Sequence, residues 1–188
     1  QQLDALGTVL RHVDPDALMV IEAPDDGPGR HTVDMLETFA ARSGLRARKA
    51  VFGFANETQQ EIAALYLKYL GLEGFADFRT QNGEKTDFAD RSFDMIFSIN
   101  ALHHFETPAK VLHEMDRVLA PGGMLVLSDF TKKGFETMDR IHALDGNCHG
   151  RGVMETTEAA SHLERAGYRI KKSASTAMQE TVVAEKPL

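Results

Sequence analysis

The chain has 188 residues, 43% of them hydrophobic and 26% charged, with 28 acidic against 21 basic side chains for a formal charge of −7. That balance excludes a disordered chain or a fibrous repeat, fits one globular core, and disfavours bulk attraction to nucleic-acid phosphates. The one cysteine, Cys148, excludes an intrachain disulfide and suggests a reducing, cytoplasmic setting. Gln1–Leu10 lacks the basic-then-apolar pattern of a signal peptide, and no apolar run is long enough for a membrane span.

Leu18–Ala23 is β-rich and stops at Pro24, so it reads as a buried strand, followed by the turn cluster Asp25-Asp26-Gly27-Pro28-Gly29. Helical periodicity follows from Thr32 to Ser43, with Gly44 as its stop. The basic group Arg42, Arg46, Arg48 and Lys49 reads as a solvated helix end. Ala50–Phe54 is a second strand. A helix is expected from Asn56 to about Leu70, with Ile62, Leu65, Tyr66 and Tyr69 as its apolar stripe. Ala76–Thr80 is a short third strand.

Phe93–Ile99 is almost wholly apolar, as expected of a strand covered on both faces. Pro108–Leu119 reads as a helix stopped by Pro121-Gly122-Gly123, and Met124–Leu127 as a fifth strand. Thr156–Ala166 is a helix; Tyr168–Ser173 and Thr181–Ala184 are late strands. Alternation of strand and helix calls for an α/β fold: a mostly parallel sheet of about seven strands with helices on both faces. The last two strands are too close in sequence for a crossover and should pair as an antiparallel hairpin. Residues 1–188 read as a single domain.

Between Asp87 and Asp129 the residues become specific. Phe88-Ala89-Asp90-Arg91-Ser92-Phe93-Asp94 leads into a strand that runs out through Asn100-Ala101-Leu102-His103-His104-Phe105. Val111-Leu112-His113-Glu114-Met115-Asp116-Arg117-Val118-Leu119-Ala120-Pro121-Gly122-Gly123 and the strand to Asp129 follow. This block resembles the class I S-adenosylmethionine-dependent methyltransferases of the small-molecule type. The resemblance covers nearly the whole chain from about Leu18 and is strong over residues 87–129. It implies a Rossmann-like sheet, S-adenosyl-L-methionine as cofactor and a small-molecule acceptor. No membrane or nucleic-acid partner is implied, and a homodimer is a possible assembly.

In an open parallel sheet, ligands sit beyond the carboxyl ends of the strands. The loops to inspect are therefore those at residues 23–30, 54–57, 80–85 and 99–105. The resemblance places cofactor contacts at Glu22, Asp25, Gly27, Gly29, Ala55, Asn56, Asn82, Gly83 and Asn100. Two of these depart from the family pattern. Asp25 stands where a first glycine is usual, with Ala23 or Glu22 where an acidic residue is usual. Ala55 stands where a carboxylate usually accepts both ribose hydroxyls.

A neutral imidazole at His103 could accept a substrate proton; the alternative is that it packs or caps its loop. Asp129 could orient an acceptor or cap the next turn. The segment from His142 to Arg151, which holds Cys148 and His149, lies where the family places substrate recognition. It reads as an acceptor lid, with His149 a second candidate base, or as a polar surface loop. Its spacing matches no standard zinc motif, so no metal is expected. The expected activity is methyl transfer by in-line displacement. The competing expectation is a methyltransferase-like domain that has lost the cofactor and serves as a binding or regulatory module.

Overall fold

The computed structural model describes the strand backbones at 17–21 and 49–54, helical positions 61, 64, 65, 68 and 69, and residues 76–144 and 152–188. The predicted helix from Thr32 to Ser43 and the loops at 22–30 and 55–57 lie outside the described residues.

The strands are β1 (Ala17–Ile21), β2 (Lys49–Phe54), β3 (Ala76–Thr80), β4 (Phe93–Ile99), β5 (Leu119–Phe130), β6 (Arg169–Ser175) and β7 (Gln179–Glu185). They form one mixed sheet in the order β3-β2-β1-β4-β5-β7-β6. Neighbours from β3 through β5 run parallel, in registers such as Val20↔Phe97 and Ser98↔Leu127. β7 runs antiparallel to both β5 and β6. The carboxyl ends of β1 to β5 therefore share one edge of the sheet.

Phe93, Met95, Ile96 and Phe97 of β4 have no exposed surface, which explains the apolar run. Helix α1 (Pro108–Val118) starts on a proline whose fixed φ suits the first turn. It buries Val111, Leu112, Met115 and Val118 in a core shared with Ile96, Leu125 and Leu127. Helix α3 (Thr156–Arg165) adds Ala159 and Leu163 to that core. A reciprocal pair of hydrogen bonds between Glu155 and Glu158 opens α3. Gly167, at φ +91°, closes it: Tyr168 N–H donates to Leu163 O at 3.0 Å and Gly167 N–H to Glu164 O at 2.9 Å.

Three expectations change. Pro121-Gly122-Gly123 does not separate helix from strand. β5 begins at Leu119, pairs with Phe93, then shifts register before Met124. The glycines permit this, since Gly122 sits at φ +75° and a Cβ at Gly123 would lie 2.9 Å from Asp94 O. Second, helix α2 (Lys132–Leu144) stands where no element is predicted. Its start is held by Thr131, whose Oγ1 accepts the Gly134 N–H at 3.0 Å. Third, Leu65 and Tyr69 are exposed, at 66% and 87%, rather than part of a buried stripe. They share a helical face with Glu61 and Lys68, and that face meets water.

Candidate functional site

The chain leaves β4 at Asn100, which is buried yet holds a left-handed backbone at φ +52°. Asparagine is one of the few side chains that takes that conformation readily. Here the Asn100 N–H donates to Ser128 O at 2.8 Å, and its Oδ1 accepts from Gln179 Nε2 at 2.9 Å. The turn leads into one 3₁₀ turn, Leu102–His104, anchored by the buried Leu102.

That geometry lays His103 against the end of β5. Nδ1 of His103 lies 2.6 Å from Asp129 Oδ1, and the His103 backbone N–H donates to Asp129 Oδ2 at 2.9 Å. Phe130 N–H also donates to Oδ1, at 2.8 Å. Both residues are buried, at 5% and 3% exposure. A carboxylate can only accept, so the ring proton sits on Nδ1 and the basic atom of the imidazole is Nε2. The ring packs between Phe130 and Phe135, with centroids 5.6 and 5.2 Å away, and against His104 at 4.0 Å. Gly152 presses on the same turn: a Cβ there would lie 2.5 Å from His103 Cα.

Beside Asp129 opens a cavity of about 840 Å³, which the His103 side chain, 1% exposed, does not line. Asp129, Phe130 and Phe135 line it, with Gly152, Val153 and Met154 and the charged Lys132, Glu155, Glu158 and Glu180. Volume and lining suit a small organic molecule with polar groups.

The loop after β3 is a tight turn. Asn82 Oδ1 accepts the Glu84 N–H at 2.9 Å, and Lys85 N–H donates to Asn82 O at 3.0 Å. The Asn82 side chain is exposed at the carboxyl edge. Gly83 has room for a Cβ, the nearest atoms being Val111 and Phe105 side chains at 3.6 and 3.7 Å. Glu84 ties the loop to α1 by accepting from Thr107 Oγ1 and from Lys110 Nζ. The Thr107 bond, then the Lys110 bond, lowers the Glu84 pKa. Deeper, the buried Glu114 carboxylate accepts from Thr86 N–H and Oγ1 and from Nε and Nη2 of Arg117. The Arg117 hydrogen bond is the main reason its carboxyl is lowered to about 2; burial opposes the shift. Arg117 also pairs with Asp90 at 2.6 Å.

The predicted site residues divide accordingly. Asn82, Gly83, Asn100, His103 and Asp129 all lie on loops or strand ends along one edge, and only the last two touch. His142 is half-buried in the last turn of α2, not in a lid loop, because the helix from Thr131 runs on to Leu144. Glu22, Asp25, Gly27, Gly29, Ala55, Asn56, Cys148 and His149 lie outside the described residues. Phe135, Gly152 and Gln179 are the additions. Thr131 as a helix cap and the spacing of Phe135, Met138 and Ile141 could have signalled the first. Gln179 has no sequence signal, since its partner Asn100 is 79 residues away. Among the described residues, no group of three or more His, Cys, Asp or Glu side chains is placed to hold a metal ion. None of the described helices is long and apolar enough to cross a membrane.

Residues 27–127 match the model of a family described as a methyltransferase domain. Methyltransferase GfsG of Streptomyces halstedii is 28% identical over 132 residues, which is 69% of this chain and 45% of that protein. The ubiquinone/menaquinone biosynthesis C-methyltransferase UbiE of Pseudoalteromonas translucida is 30% identical over 111 residues, 59% of this chain and 44% of that protein. The chain thus spans less than half the length of these curated relatives. A solved structure of a SAM dependent methyltransferase from Aquifex aeolicus superposes with a TM-score of 0.68 at 19% identity. That superposition covers 97% of this chain and 88% of the other, a likeness of fold. The family match takes in more than half of the chain, which therefore belongs to the methyltransferase-domain family, in keeping with its resemblance to the class I S-adenosylmethionine-dependent enzymes.

Proposed function

We propose that the chain transfers a methyl group from S-adenosyl-L-methionine to a small-molecule acceptor held in the cavity that Asp129 lines. The observation that carries this reading is the buried His103–Asp129 pair at the ligand edge of a methyltransferase-family sheet. Asn82 and Asn100, polar amides at the carboxyl ends of β3 and β4, suit contacts to the cofactor's adenosine. Gly83 and the sequence positions Glu22, Asp25, Gly27, Gly29, Ala55 and Asn56 complete that set by resemblance. When bound, S-adenosyl-L-methionine supplies an electrophilic methyl on a sulfonium.

The residues then have distinct tasks. With the buried ring uncovered by the entering acceptor, Nε2 of His103 takes the acceptor's acidic proton as the acceptor's electron pair attacks the methyl carbon and displaces it from sulfur, S-adenosylhomocysteine being the leaving group. Asp129 keeps the other ring proton on Nδ1 and steadies the imidazolium. It acts on the acceptor through His103, since its two oxygens already hold the ring, the His103 N–H and the Phe130 N–H. Phe130 and Phe135 wall the ring from water. His142, Cys148 and His149 are proposed as acceptor contacts. In this reading residues 1–188 are one domain, with the complete seven-strand sheet and its C-terminal hairpin, working in the cytoplasm without a nucleic-acid partner.

The test pairs two measurements. Calorimetric titration with S-adenosylhomocysteine should show binding in the wild type and in His103→Gln alike. Methyl transfer to an acceptor found by screening small molecules should fall about 100-fold or more in His103→Gln. No binding at millimolar ligand would instead establish the cofactor-free regulatory module. Binding with transfer unchanged in the variant would remove His103 as the base.

A further inference from the structure

We infer that Gln179, on the antiparallel strand β7, is a positioning residue for the His103–Asp129 pair. The inference extends the proposed role of His103 to a residue that neither the sequence pattern nor the family match singles out.

The chain of contacts is short. Gln179 Nε2 donates to Asn100 Oδ1 at 2.9 Å, and Gln179 Oε1 accepts from Ser128 Oγ at 3.3 Å. Ser128 Oγ is also 2.8 Å from Thr181 Oγ1, which ties the set into β7. Asn100 is a buried carboxamide, unfavourable without a partner, on a left-handed backbone that asparagine takes more readily than most side chains. Gln179 satisfies the carboxamide and so fixes the side chain on that turn. The left-handed turn aims the next three residues back over β5, which is how the His103 N–H and Nδ1 both reach Asp129. One amide on β7 thus sets the angle at which the base leaves β4.

The experiment uses Gln179→Leu, which keeps most of the bulk and removes both hydrogen bonds. The primary readout is the downfield proton NMR signal of His103 Nδ1–H bonded to Asp129, assigned by its loss in His103→Gln. This readout needs neither cofactor nor acceptor, so it stands or falls independently of the proposed activity. Q179L should lose or broaden the signal, and where transfer is measurable it should fall about 10- to 100-fold, the scale of a misplaced catalytic group. Adding Asn100→Gly should restore the signal, because glycine takes the turn with no carboxamide to satisfy. A signal intact in Q179L would overturn the inference. So would a double variant no better than Q179L, since Gln179 would then act only by packing. Gln179 is half-buried, so Gln179→Asn, too short to reach Asn100, gives the same reading should Q179L not fold.

Discussion

Asp129 receives two hydrogen bonds from His103, one from the ring at 2.6 Å and one from the backbone at 2.9 Å. A single carboxylate thus fixes both where the residue sits and which ring nitrogen carries the proton. Asp129→Asn keeps the shape but replaces one acceptor oxygen with a donor. The ring can then turn to the tautomer protonated at Nε2, which cannot accept a proton from substrate. We expect methyl transfer to fall about 100-fold or more with S-adenosylhomocysteine affinity unchanged. Initial rates beside calorimetry check this, and an unaltered rate would show that the pair only staples the loop.

Glu114 gives the clearest pH dependence. Its carboxyl is lowered from 4.5 to about 2 in the folded protein, chiefly by Arg117. A depressed carboxyl stabilises fully above its unfolded value and loses that contribution as pH falls through the folded one. The window here runs from 4.5 down to about 2. Glu114→Gln should lower stability at neutral pH by about 1–3 kcal/mol, the loss of charge-assisted bonds between a buried carboxylate and a partly exposed Arg117. Melting curves of both proteins across that window should converge as it is descended. A gap that stays constant to the acid limit would disprove the assignment.

Gly152 has φ +46° and no room for a side chain over His103. Gly152→Ala meets both a strained backbone and a 2.5 Å approach to His103 Cα, so either the segment lifts or the 3₁₀ turn moves. A stability loss of about 1–3 kcal/mol is expected from the strain and overpacking. Transfer should fall with it, read against S-adenosylhomocysteine binding as the control. Chemical denaturation showing no change would place the segment elsewhere.

In the proposed cofactor site, the class I resemblance puts Ala55 at the position of a ribose-binding carboxylate. Ala55→Asp should restore one charge-assisted bond of about 1.5–3 kcal/mol and so tighten S-adenosyl-L-methionine about tenfold or more. Calorimetry decides: equal or weaker affinity would move the ribose site away from this loop.

What could be read from sequence followed local pattern. Phe93–Ile99 and the stripe Val111, Leu112, Met115 and Val118 announce themselves because each element's burial is written within it. The start of β5 did not, since Pro121-Gly122-Gly123 has the composition of a stop and only pairing with Phe93 and Lys186 makes it strand. Gly134 hid α2: glycine weakens a helical reading, yet a Cβ there would lie 2.3 Å from Met178 O, so docking on the β6–β7 turn demands it. His103 and Asp129 could each be marked as candidates. Their pairing across 26 residues, and the Gln179 contact across 79, exist only once the strands are placed.

β7 lies between β5 and β6, although it follows both in the sequence. Lys186, just beyond it, donates to the carbonyls of Asp116 and Leu119, closing the carboxyl end of α1 from 70 and 67 residues away. During synthesis, the ribosome therefore releases β5 with a bare edge and α1 with open carbonyls. Neither is satisfied until β7 and Lys186 emerge from the exit tunnel. Until then the unpaired β5 edge is a template for pairing with other chains. A holdase that shields the β5 edge until β7 has emerged would raise the yield of folded protein.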